Sequence, residues 1–188
     1  MVALGDSLTQ GYGLPPADGF VPQLQNWLDQ KGADVTVINA GVSGDTTAGG
    51  LSRLDWTLTP EVDAMIVNLG GNDLLRGIDP ASSRANLEAI LQTAQARGLP
   101  VMLVGLRAPG NYGPDFKAAF DAMYPDLATK YGAVSTDNFF IPLIDQATKR
   151  LSTDYMQPDG LHPNARGVTL LVNGLGPKVL ELLAKVGT

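Results

Sequence analysis

The chain has 188 residues, with 13 Lys and Arg against 19 Asp and Glu, a formal charge of −6, and no cysteine. That length suits one domain, residues 1–188, with a continuous core. The charge argues against a nucleic-acid groove or an anionic membrane surface as main partner, the missing cysteines exclude disulfide scaffolds and thiolate sites, and no run nears the roughly 18 apolar residues of a membrane span.

The first strand is expected at Val2 to Gly5. Because it opens at residue 1 or 2, we expect a natural leader to have been removed, which places the protein in the periplasm or outside a bacterial cell. Gly5-Asp6-Ser7 follows at once. A serine in that setting either caps the next helix or stands as a nucleophile at the end of a strand. Phe20, Leu24 and Leu28 recur at helical spacing, "VTVINA" at 35–40 reads as the second strand, and "GVSGDTT" at 41–47 as a glycine-rich loop in which a Ser or Thr caps a helix. The third strand, "AMIVNLG" at 64–70, runs into "GGND" at 70–73. Asp79-Pro80 supplies a cap and a first-turn proline for a helix carrying Leu87, Ile90, Leu91 and Ala94 on one face, and Gly98 to Pro100 closes it. Strands at 101–106 and 133–136 complete the set. Two long aperiodic segments, 107–116 and 152–164, are expected as functional loops.

This alternation of apolar runs and amphipathic stretches is the pattern of an α/β protein, a five-stranded parallel sheet covered by helices on both faces. Ligands of such sheets sit beyond the carboxyl ends of the strands. If the order is 2-1-3-4-5, the loops after the first three strands converge and Ser7 would lie between two glycine-rich turns. The single histidine belongs to "PDGLHPN", three residues after Asp159. At that spacing the carboxylate can accept from one imidazole nitrogen and leave the other facing a nucleophile. His162 would take the proton of Ser7 and return it to a leaving group. The oxyanion so formed needs donors: the Ser7 N–H, the N–H of a glycine in the second loop, and the Asn72 amide.

The blocks "GDSLT", "SGDTT", "GGND" and "DGLHP", in this order and spacing, resemble those of the SGNH, or GDSL, hydrolases. The resemblance implies a flavodoxin-like three-layer αβα fold, Ser7 as nucleophile, Asp159 and His162 completing a triad, and Gly44 rather than Gly41 joining Ser7 and Asn72 in the oxyanion hole. "NLGGNDLLRG" and "LRAPGNYG" further resemble the bacterial acyl-CoA thioesterase I, lysophospholipase L1 and arylesterase group. By that likeness Leu74, Leu75 and Ile78 cover an acyl pocket, and Arg107, Ala108 and Tyr112 form another wall, with Ala108 widening it. Asp6, Met156 and Leu161 are further candidate substrate contacts, and Tyr155 and Phe139 are apolar loop residues that could line the pocket or join the core. Arg107 either orients a substrate carbonyl or pairs with Asp115.

The expected ligand is a small acyl or aryl ester, an acyl thioester or a lysophospholipid, with no cofactor, nucleic acid, membrane insertion or obligate protein partner. Three other readings stand beside it. A carbohydrate acetyl esterase would use the same site. A nucleotide- or flavin-binding module would share the fold, although no phosphate-binding G-x-x-x-x-G-K-[ST] is present and Pro16 follows Gly11-x-Gly13 where a dinucleotide fingerprint wants its third glycine. A metal-dependent hydrolase would need Asp6, Asp73, Asp159 and His162 as ligands.

Overall fold

The computed structural model describes residues 1–187. Five strands, β1 (Val2–Gly5), β2 (Ile38–Gly41), β3 (Met65–Asn68), β4 (Val101–Val104) and β5 (Val134–Thr136), form one parallel sheet in the order β2-β1-β3-β4-β5. The helices are α1 (Ser7–Gln10), α2 (Phe20–Gln30), α3 (Thr47–Ser52), α4 (Leu54–Thr57), α5 (Gly71–Leu75), α6 (Pro80–Ala96), α7 (Pro114–Tyr131) and α8 (Ala165–Leu183). On one side α2 packs against α8; on the other α6 packs between α3 and α7. Strands β1, β3 and β4 are buried along their whole length, as continuous apolar runs covered on both faces should be.

The second strand starts later than its apolar run suggests. Val2 is already in register with Ile38, and ahead of it the Met1 amine donates to the Thr36 carbonyl at 3.1 Å, so residues 35–37 have no continuous strand beside them. Gln25 of α2 takes their place: its amide donates to the Val35 carbonyl and accepts from the Val37 N–H, both at 2.8 Å. The expected cap at Asp79 is present, its side chain accepting from the Ala81 N–H at 2.9 Å. Of the aperiodic segments, 107–113 remains loop apart from one short turn, whereas α7 begins at Pro114, inside the stretch expected to be irregular. Pro125 lies within α7.

A fully buried tyrosine of α7 supports the end of β3. The Tyr124 hydroxyl donates to the Leu69 carbonyl at 3.0 Å, one residue before the turn at Gly70 that leads to Asn72. Replacing Tyr124 by Phe leaves that carbonyl without its donor and should cost about 1–2 kcal/mol, read as a lower midpoint in urea unfolding.

Candidate active site

The residues at the ends of β1, β2 and β3 meet because the strands are in register: Gly5 lies opposite both Gly41 and Asn68. Asp6 and Ser7 follow Gly5. Asp6, not Ser7, caps α1, its Oδ1 accepting from the Leu8 N–H at 3.0 Å. Ser7 is therefore the first helical residue, with its hydroxyl free for another partner.

That partner is His162. Its Nε2 lies 2.8 Å from Ser7 Oγ and its Nδ1 lies 2.7 Å from Asp159 Oδ2. Asp159 Oδ1 also accepts from the N–H groups of Leu161 at 2.9 Å and His162 at 3.0 Å. Those bonds from His162 and Leu161 hold the Asp159 carboxyl down to about pKa 2, the His162 N–H first among them. An ionised carboxylate only accepts, so Nδ1 carries the imidazole proton and Nε2 presents a lone pair to the serine hydroxyl.

The second loop is fastened to both neighbours. Arg53 donates from Nε to Asp45 Oδ2 at 2.6 Å and from Nη2 to the Gly5 carbonyl at 2.9 Å, which ties it to the end of β1. The Asn72 amide nitrogen donates to the Asp45 carbonyl at 3.0 Å and to Asp6 Oδ2 at 3.4 Å. Asp73, buried behind it, accepts from the N–H and hydroxyl of Thr47 at 2.8 and 2.6 Å and from the Ser83 hydroxyl at 2.8 Å. Gly44 has φ +85°, a left-handed conformation that only glycine adopts freely, and its carbonyl accepts from Arg76 Nη2 at 2.8 Å. Thr46 caps α3 by accepting from Gly49.

Ser7, Gly44, Asn72, Asp159 and His162 line one open cavity of about 590 Å³. Asp6, Leu74, Leu75, Arg107 and Leu161 line it as well. Ala108, Ile78, Tyr112 and Met156 do not. Ala108 is buried, its N–H donating to Asp121 and its carbonyl accepting from Lys117. Tyr112 lies outside, donating to the Leu75 carbonyl at 3.2 Å and packing on Phe116, and Met156 lines an adjoining hollow beside Gln157. Phe139 is core, packed on Phe20, while its neighbour Phe140 faces the cavity. Tyr155 is half-buried beneath Arg166 and outside the cavity. Arg107 pairs with Asp137 and, at 3.7 Å, with Asp121, not with Asp115. Tyr12, Ser43, Leu106 and Leu151 line the cavity without a signal in the sequence strong enough to single them out, although Leu106 ends the fourth apolar run. The four residues of the metal reading do not converge: Asp73 is consumed by Thr47 and Ser83, and among the described residues no group of three or more His, Cys, Asp or Glu could hold a metal ion.

Residues 3–170 match the GDSL-like lipase/acylhydrolase family. The chain belongs to that family. It is 37% identical over 184 residues to the Pseudomonas aeruginosa protein named esterase TesA, covering 97% of this chain and 89% of that one. It is 37% identical over 186 residues to the Escherichia coli K12 protein named thioesterase 1/protease 1/lysophospholipase L1, covering 97% and 84%. Among solved structures, that of AlinE4, described as an SGNH-hydrolase family esterase, superposes with a TM-score of 0.78 at 43% identity, over 97% of this chain and 95% of that one.

Asp6 is buried and accepts from the Leu8 N–H and, at 3.4 Å, from Asn72. Burial raises its pKa to about 6, against the opposing pull of the Leu8 N–H, His162 and Asn72. A carboxyl whose folded pKa is raised adds stability below its unfolded pKa and loses it as pH rises through the folded value. Asn at position 6 does not titrate, so the stability of Asp6→Asn relative to the parent should improve by about 1 kcal/mol between pH 5 and pH 8. Chemical denaturation at the two pH values measures it, and any pH-independent effect of the substitution cancels in the difference.

Proposed function

We propose that the protein hydrolyses carboxylic esters of aryl or acyl type, and related acyl thioesters and lysophospholipids, through Ser7, His162 and Asp159. The observation that carries this reading is the unbroken chain of hydrogen bonds from Asp159 through the imidazole to the serine hydroxyl. The names of the relatives support the same reaction class.

Attack of Ser7 Oγ on the ester carbonyl passes the hydroxyl proton to His162 Nε2 and puts negative charge on the carbonyl oxygen. Asp159, ionised and bonded to Nδ1, stabilises the imidazolium and keeps the ring aligned. Collapse of the tetrahedral intermediate expels the alcohol or thiol, which takes the proton from Nε2, and leaves the acyl group on Ser7. Water then enters, His162 removes its proton, attack on the acyl carbonyl follows, and Ser7 recovers a proton as the acid departs.

Three donors border the place where the oxyanion forms: the N–H of Ser7, the N–H of Gly44 and the amide of Asn72. In the resting enzyme the Asn72 amide spends one proton on the Asp45 carbonyl at 3.0 Å and the other on the longer contact to Asp6. The longer bond is the one a new oxyanion can replace at least cost. The acyl chain is accommodated by the apolar wall of Leu74, Leu75, Leu106, Phe140 and Leu151.

Ser7→Ala should lower kcat for p-nitrophenyl butyrate by at least about 10⁴-fold with an unchanged circular dichroism spectrum; near-parental turnover would remove Ser7 from the reaction. Asn72→Ala should lower kcat by about 10²- to 10³-fold with KM moving by less than about threefold, since the oxyanion exists only after attack begins. Steady-state kinetics separates this from loss of ground-state binding, which would move KM alone.

A further inference from the structure

The bonds that fasten Asp6, Asp45, Asn72 and Asp73 join the first three loops, but none reaches the turn that carries His162. Pro158, Asp159, Gly160 and Leu161 are all exposed, so little burial holds that turn in place. Among the described residues, one hydrogen bond besides Ser7–His162 links residues 157–163 to the serine loop. It is donated by Gln157 Nε2 to the Tyr12 carbonyl at 2.8 Å.

We propose that Gln157 is a positioning residue whose side-chain amide straps the histidine turn to the serine loop and so sets the separation of Ser7 Oγ and His162 Nε2. The inference rests on the roles given above to Ser7 and His162.

Gln157 grips the turn at both ends. Its own N–H donates to the His162 carbonyl at 2.7 Å, its carbonyl accepts from the Gly160 N–H at 3.0 Å, and the second proton of its side-chain amide goes to the Pro163 carbonyl at 3.0 Å. Two carbonyls face the same side-chain nitrogen, which decides the orientation of the amide, because its oxygen there would be repelled by both. The serine loop is shaped to receive it. Gly13 has φ +74°, and a Cβ on it would lie 2.2 Å from Gln157 Oε1 and 3.1 Å from Cδ. The carbonyl that the strap holds belongs to Tyr12, whose ring lies 4.7 Å from the imidazole, centroid to centroid, at 39°. One amide therefore fixes the turn below His162 and the ring beside it. The Asp159–His162 bond lies within the turn and does not need the strap.

Gln157→Met keeps the side chain's length and removes both donors. With p-nitrophenyl butyrate it should lower kcat roughly 10- to 100-fold, the penalty of a misplaced base, with KM within about threefold. Phosphorylation of Ser7 by diethyl p-nitrophenyl phosphate, which requires the same Ser7–His162 alignment, should slow by a similar factor. The low-field proton resonance of His162 Nδ1 should persist, because Asp159 still holds it. Gly13→Ala, which drives a methyl group into the amide, should give the same signature, and its effect on kcat should shrink in a Gln157→Ala background. Gln157→Met with kcat and phosphorylation rate within about twofold of the parent, whatever its melting temperature, would overturn the strap, as would fully additive effects of Gly13→Ala and Gln157→Ala. Loss of turnover in Ser7→Ala beside a normal Gln157→Met would discard the strap and keep the triad; normal turnover in Ser7→Ala would discard the triad itself.

Discussion

Strand β1 runs between β2 and β3 with Gly5 opposite Gly41 on one side and Asn68 on the other, and the geometry of the site descends from that register. Parallel strands stand about 4.8 Å apart, so the loops that leave these three positions start within about 10 Å of one another. Each can then supply one short-range contribution: Ser7 from the first, Gly44 from the second, Asn72 from the third. No long side chain has to reach across the site. The loops are locked by groups adjacent to those residues, Arg53 with Asp45 and Gly5 on one side and Asp73 with Thr47 on the other.

Two buried aspartates of an acidic chain have opposite roles in this arrangement. Asp73 receives three strong donors and is a structural anchor. Asp6 caps α1, but its burial raises its pKa, and the Leu8 N–H, His162 and a long contact from Asn72 offset that only in part. Helix α1 gains its cap from Asp6, which leaves the Ser7 hydroxyl available to His162. The capping carboxylate and the serine hydroxyl bonded to His162 thus belong to adjacent residues, and the cost of burying Asp6 is incurred beside that hydroxyl.

The histidine turn stands apart from this framework. It arrives from the far end of the chain, is exposed at its tip, and meets the serine loop through His162 and Gln157. An i, i+3 carboxylate and imidazole can be read from sequence because one turn contains both partners. The Gln157–Tyr12 contact spans 145 residues and involves a main-chain carbonyl, which carries no residue signature. Wall residues were hidden for a related reason. Phe139 and Phe140 are equivalent in composition, and only the course of the chain after β5 turns one into the core and the other into the cavity. Arg107 likewise found Asp137 and Asp121 rather than the nearer-in-sequence Asp115, since α7 carries Asp121 and the end of β5 carries Asp137 to its side of the sheet.

By itself the sequence determined the alternation of strands and helices, the parallel sheet and the pairing of Asp159 with His162, because each depends on local periodicity or spacing within one turn, and it carried the family blocks as a resemblance in their order along the chain. Tertiary structure alone decided that Asp6 caps α1, that β2 begins at Ile38, that Ala108 and Tyr112 leave the cavity while Tyr12 and Phe140 enter it, and that Gln157 joins two distant loops. Those outcomes depend on which backbone groups and side chains become neighbours after the sheet has assembled, and proximity of that kind leaves no periodic trace along the chain.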